Sequence, residues 1–202
     1  MIRLLIATTN PDKLREIRWI LGRLPVEILT LRDLAPVPEP EETGATFAEN
    51  ARIKALYYDG CLGARDAERP YTVAEDSGLV IDALDGEPGV HSARFVRPDA
   101  SYPERFAEIY RRLDERPARA RSARFVCAVA VAHEGTVIYE TTGTVEGDIA
   151  SVPRGEGGFG YDPIFYYAPY GRTLADVTEE DKLRVAHRGE AFRRLAIWLK
   201  ES

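Results

Sequence analysis

The chain has 202 residues, enough to bury one good core as a single domain or as two closely joined lobes. It is 45% hydrophobic and 30% charged, the balance of an ordinary globular protein, and its net charge of -6 argues against a surface that coats nucleic acid. No apolar run approaches a membrane span, the histidines and cysteines are too scattered for a zinc site, and MIRLLIATTN turns polar too soon for a signal peptide, so a cytoplasmic protein is expected.

Arg3–Ala7 reads as a buried first strand, broken by Thr8-Thr9-Asn10-Pro11. The spacing of Leu14, Ile17, Ile20 and Leu21 then predicts a helix over Lys13–Gly22. Val26–Leu29 is a second strand, and Ala35–Gly44, rich in Pro and Glu, is irregular. Thr46-x-x-Glu49 is a capping box opening a helix whose apolar face is Ala48, Ala51, Ala55 and Leu62. Tyr71–Ala74 is a strand ending in Glu75 and Asp76; Ser77-Gly78 reads as a turn before the apolar run Leu79–Ile81. A polar Gly/Pro segment, Asp85–Gly89, leads through Ser92-Ala93-Arg94 to an amphipathic helix at Tyr102–Leu113. Phe125–Ala132 and Thr136–Thr142 form a hairpin over His133-Glu134-Gly135, with Thr144–Ile149 prolonging its second strand. The glycine-rich Gly155–Phe165 follows, and a last helix spans about Gly189–Lys200. These elements predict an α/β fold, a mixed central sheet flanked by helices, with residues 1–202 as one domain. Cys61 and Cys127, in apolar surroundings, are expected to be buried free thiols.

Four stretches can carry chemistry. Thr8, Thr9, Asn10, Pro11, Asp12 and Lys13 lie between a strand and a helix start, where backbone N–H groups and the helix dipole favour an anion; Asn10 or Asp12 acting only as a cap is the plainer reading. Glu41, Glu42, Glu75 and Asp76 are oxygen ligands of the kind Mg²⁺ takes together with substrate phosphates, although a Glu pair in a Pro-rich loop is commonly just solvated surface. In Gly155–Asp162 the glycines permit close backbone approach to a ligand, and Phe159 and Tyr161 suit a flat base. Lys182 and His187-Arg188-Gly189 supply donors near a helix start, or simply a charged helix face. Phosphate anchors, metal carboxylates, a flat-ring pocket and further cations together describe a nucleoside phosphate site. Ser77 sits in DSG rather than in a GxSxG elbow, which disfavours an α/β-hydrolase.

In TTNPDKLREI, EETGATFAENARIKA, EDSGLVIDALDGEPGVHSARF, GEGGFGYDPIF and AHRGEAF, between Ile6 and Phe192, the chain closely resembles the inosine triphosphate pyrophosphatase (Ham1) family. The resemblance implies an elongated, two-lobed α/β domain with a cleft, usually a homodimer. It implies Mg²⁺-dependent hydrolysis of ITP, dITP and XTP, purine nucleotides outside the standard set, to the monophosphate and pyrophosphate. Matched position by position, it makes Thr8–Lys13 the phosphate-side loop, Asp76 the proton acceptor and metal ligand, and Glu41 or Glu42 a further metal-side acid. It makes Ser77 a substrate contact, Phe159, Gly160, Tyr161 and Asp162 the base segment, and Lys182, His187 and Arg188 the remaining contacts. Two positions depart from the bacterial pattern: Glu75 stands where an aspartate is usual, and Ala186 where a serine is expected. The competing readings are a Maf-type nucleotide pyrophosphatase and a catalytically silent nucleotide-binding protein. No nucleic-acid polymer and no membrane is expected as a partner.

Overall fold

The computed structural model describes residues 1–62, 69–116 and 120–201. Its strands are β1 (Ile2–Ile6), β2 (Val26–Thr30), β3 (Tyr71–Ile81), β4 (Ser122–His133), β5 (Thr136–Ile149), β6 (Phe165–Tyr167) and β7 (Arg172–Thr173). Its helices are α1 (Pro11–Leu21), α2 (Phe47–Gly60), α3 (Tyr102–Asp114), α4 (Glu179–Val185) and α5 (His187–Glu201). The sheet order is β2-β1-β3-β4-β5-β6-β7. β1 runs parallel to β2 and β3, with Leu4 opposite Tyr71 and Ile6 opposite Val73, whereas β6 runs antiparallel to both β5 and β7. The mixed α/β sheet predicted from sequence is therefore present.

Two compact units divide the chain. The first comprises Met1–Asp76, Cys127–Gly143 and His187–Ser202. Its central strands β1, β3 and β4 carry buried residues on both faces, and the alternation of side chains along a strand sorts them. Leu4, Ile6, Val73, Cys127, Val129 and Val131 pack with Ile17 and Leu21 of α1 and Phe192, Leu195 and Leu199 of α5. Leu5, Ala7, Ala74, Ala128, Ala130 and Ala132 meet Ala51, Ala55 and Tyr58 of α2. Alanine on both sides of that second layer allows α2 to lie close to the sheet. The second unit comprises Ser77–Val126 and Thr144–Ala186, and its core gathers Leu79, Ile81, Phe106, Ile109, Phe125, Phe165 and Leu174.

The local expectations at helix starts hold. Asn10 caps α1 by accepting from the amides of Asp12 and Lys13, and Thr46 and Glu49 form the capping box of α2. The hairpin turns through Glu134 and Gly135, both at positive φ, the backbone of a two-residue turn that matches strand twist.

Two expectations are corrected. Ser77-Gly78 does not turn the chain, because β3 runs unbroken from Tyr71 to Ile81. Gly78 is needed for close approach instead: a Cβ there would lie 2.3 Å from Ser92 Oγ and 2.7 Å from the Gly89 carbonyl. Ser92 Oγ in turn accepts from the Leu79 amide at 3.0 Å and donates to the Gly89 carbonyl at 2.6 Å. Cys127 is buried as expected, but Cys61 is exposed, since α2 ends at Gly60 and leaves the thiol at the helix cap.

Gly78→Ala should therefore lower stability by about 1–3 kcal/mol through overpacking. Gly60→Ala, where a Cβ meets nothing within 4 Å, serves as the control and should be neutral or stabilising. Thermal melts of the two variants check this; equal melting temperatures would remove the close-approach account of Gly78.

Candidate active site

Within the first unit, neighbouring positions on β3 send two carboxylates to different partners. Glu75, 3% exposed, faces α1 and α5: Lys13 Nζ lies 2.6 Å from Oε1 and Arg188 Nη2 3.5 Å from Oε2. The Cys127 thiol donates to Oε2 at 3.4 Å. Arg188, 1% exposed, also donates to Glu16 Oε2 at 2.6 Å, so two buried acids meet two cations. Burial pushes the Glu75 carboxyl up, but Lys13, Arg188 and Lys54 more than offset it and hold it well below the ordinary range. Burial pushes the Cys127 thiol well up, keeping it protonated as a donor.

Asp76, 6% exposed, turns to α2. Asn50 Nδ2 donates to its Oδ2 at 3.2 Å, and Lys54 Nζ donates to its Oδ1 at 3.1 Å. The same ammonium lies 2.7 Å from Glu42 Oε1. Burial raises the Asp76 pKa; Lys54 and Lys13 pull it back only in part, and Glu42 and Glu75 add to the rise. Burial alone would lower the pKa of Lys54, yet Asp76, Glu75 and Glu42 raise it and keep the group charged.

Of the predicted acids, the structure brings Glu42, Glu75 and Asp76 into this network and leaves Glu41 exposed. Asn10 plays the capping role, and Thr8 Oγ1 accepts from the Asn10 amide at 3.2 Å. Asp12 pairs with Arg15. Thr8, Thr9 and Pro11 border a cavity of about 620 Å³ that Arg15, Arg18 and Arg32 also line. His187 and Arg188 open α5 and are buried.

The second unit holds the other predicted set. Asp162 Oδ2 accepts from the Phe159 amide at 2.8 Å and from Lys182 Nζ at 2.6 Å, with both charged side chains almost wholly buried. That ammonium lies 4.6 Å from the centre of the Phe159 ring. Gly158, at φ +67°, is needed here because a Cβ would come 2.2 Å from Asp162 Oδ2. Tyr161 is 4% exposed and donates to the Ser92 carbonyl at 2.9 Å. It serves as an anchor of the loop, and the half-buried Phe159 is the accessible aromatic. Ser77 follows Asp76 along β3 and is half-buried. Lys182, grouped with His187 and Arg188 by sequence proximity, belongs to the second unit while they belong to the first.

Sequence reasoning missed Glu16, Asn50 and Lys54. The available signal was polar residues beside apolar helix positions: Asn50 and Lys54, four apart, flank Ala51 and Ala55, and Glu16 precedes the buried Ile17. Among the described residues no group of three or more His, Cys, Asp or Glu side chains is arranged to hold a metal. Two carboxylates converging on one ammonium are nevertheless the donor set that Mg²⁺ takes when substrate phosphates complete its shell.

A family model described as the Ham1 family matches residues 4–198. A dITP/XTP pyrophosphatase of Geobacillus kaustophilus is 44% identical over 195 residues, 96% of this chain and 93% of that protein. Another from Geobacter sulfurreducens is 44% identical over 192 residues, 95% of this chain and 94% of that protein. The solved structure of a HAM1 protein from Coxiella burnetii superposes with a TM-score of 0.90 at 36% identity over the whole of both chains. The Staphylococcus aureus Ham1 protein gives 0.86 at 33% identity over 98% of each.

Glu75→Gln should destabilise the fold by on the order of 3 kcal/mol near neutral pH, since it leaves buried cations uncompensated. The native carboxyl titrates below its ordinary value of 4.5, so its contribution is complete above that pH and is lost as pH falls further. Melting temperatures followed from pH 7 into the acid range should show the wild-type advantage shrinking below about pH 4.5; a constant gap would contradict the ion-pair account.

Proposed function

The chain belongs to the Ham1 family, and from that premise we propose that it hydrolyses ITP, dITP and XTP to the nucleoside monophosphate and pyrophosphate. The observation that carries this reading in the molecule is the Glu42–Lys54–Asp76 arrangement, a buried carboxylate held ready beside a second acid and a cation. The likeness to dITP/XTP pyrophosphatases over nearly the full chain supports the substrate class. It disfavours a Maf-type enzyme and a silent nucleotide-binding protein.

Asp76 and Glu42 are the residues we assign to Mg²⁺, with Glu41 exposed in the same loop. The ion would neutralise the triphosphate and make its phosphorus more open to attack. Asp76 takes the proton of the attacking water as the water oxygen bonds to the α-phosphorus and the bond to the bridging oxygen of pyrophosphate breaks. Burial lifts Asp76 above the basicity of an ordinary carboxylate, which suits that role, and Asn50 and Lys54 fix its orientation. Lys13 and the Thr8–Lys13 loop offer charge and hydroxyls to phosphate oxygens. Arg188 is committed to Glu16 and Glu75, so we assign it to holding Glu75 and Lys13 in place rather than to touching substrate.

Phe159, backed by the Lys182–Asp162 pair, is assigned to the purine base, with Ser77, Gly160, Tyr161 and His187 as further substrate-side residues. Donors aimed at a 6-oxo group would accept hypoxanthine and xanthine and meet the 6-amino group of adenine donor to donor. A homodimer in the cytoplasm completes the reading and rests on the family resemblance. Among the described residues no helix is long and apolar enough to cross a membrane.

With Mg²⁺ present, ITP and XTP should yield pyrophosphate while ATP, GTP and UTP do not; orthophosphate, or no turnover, would refute the assignment. Asp76→Asn should cut kcat by about a hundredfold or more with the fold retained, because burial makes the native charge costly. Near-native turnover by that variant, with the melt unchanged, would remove Asp76 from the chemistry.

A further inference from the structure

Arg105, on α3, is 5% exposed, so its guanidinium is a buried positive charge. Its hydrogen-bond acceptors are two backbone carbonyls at long range, Ser92 at 3.5 Å and Pro98 at 3.3 Å, and the Tyr161 hydroxyl oxygen, while its Nε, also buried, has none. No carboxylate pairs with it among the described residues. Lys182 and Arg188, comparably buried, each have one. A buried cation without a counter-ion is costly, and that cost falls when an anion comes near.

What lies beside Arg105 is the loop assigned to the base. Its guanidinium stands 5.0 Å from the centre of the Tyr102 ring, and that ring sits edge-on to Tyr161 at 5.4 Å. The Tyr102 hydroxyl lies against Gly160, 3.5 Å from where a Cβ would stand. The Ser92 carbonyl that Arg105 reaches is also the acceptor of the Tyr161 hydroxyl. Tyr102 itself is 38% exposed, so the charge is buried behind an accessible aromatic.

Resting on the assignment of Phe159–Asp162 to the base, we propose that Arg105 is a positioning and specificity-determining residue. Through Tyr102 and the shared Ser92 carbonyl it holds Gly160-Tyr161 and places an uncompensated positive charge behind them, favouring a purine ring that carries negative charge. Xanthine, with a second carbonyl at C2, gives up a ring proton near neutral pH, whereas hypoxanthine keeps its own. Arg105 thus tilts the site toward XTP over ITP.

Steady-state KM and kcat for XTP and ITP, measured at neutral pH on the wild type, Arg105→Gln and Arg105→Lys, test this. Arg105→Gln should lower kcat/KM for XTP more than for ITP, by roughly fivefold and chiefly through KM, while Arg105→Lys keeps the wild-type ratio. An equal loss on both substrates, or the same change of ratio in both variants, would reduce Arg105 to a structural role. The wild type gives an independent reading should a variant fail to fold: XMP should inhibit ITP hydrolysis more tightly than IMP, and equal inhibition would overturn the proposal. Failure of the wild type to release pyrophosphate from ITP would instead strike at the function proposed above.

Discussion

The first unit depends on the two-residue alternation of β3 where it carries Glu75 and Asp76. Adjacent carboxylates, both almost wholly buried, would repel one another and lose their hydration if they pointed the same way. The strand sends them to different helices. Glu75 meets Lys13 of α1 and Arg188 of α5, while Asp76 meets Asn50 and Lys54 of α2. Both helical layers thus become fixed to one strand by charge as well as by apolar packing.

The two sides are not electrically alike. Around Glu75, the acids Glu16 and Glu75 are matched by Lys13 and Arg188, which leaves little attraction for a metal cation. Around Asp76, two carboxylates share the ammonium of Lys54, and burial lifts Asp76 rather than lowering it. A balanced, dry network gives rigidity, and a network short of positive charge gives reactivity and room for a cation. That asymmetry separates a charge-matched glutamate from an aspartate that shares its cation, although the two are neighbours in sequence.

Much of the fold was legible because its signals are local. Asn10 and the Thr46/Glu49 box announce helix starts, and β4 announces a doubly buried strand through its alternation of valine and alanine. The Ser77-Gly78 misreading arose because glycine permits either a turn or a close approach, and the group that approaches, Ser92, lies 13 residues beyond Leu79 in the chain. Which of Glu41 and Glu42 turns inward could not be read from a loop of Pro and Glu, since the partner of Glu42, Lys54, lies on the next helix. Lys54 and Asn50 are not marked by the apolar face of their helix, and their value appears only once β3 lies beneath them. The contacts of Tyr161 and Arg188 were likewise invisible: a sequence shows an aromatic or a cation and does not show which neighbours it meets.

The alanine layer between α2 and the sheet has a consequence for how such a site can vary. Ala51 and Ala55 rest on Ala128, Ala130 and Ala132, and the same helix carries Asn50 and Lys54 to Asp76. The thickness of that layer therefore sets the reach of two polar side chains, to within the size of a methyl group. Substitutions among these alanines would act as a spacer: they touch neither acid nor nucleotide, yet they would decide how firmly the aspartate is gripped. The hold on Asp76 is thus open to adjustment from inside the core, by residues that look like the least specific in the chain.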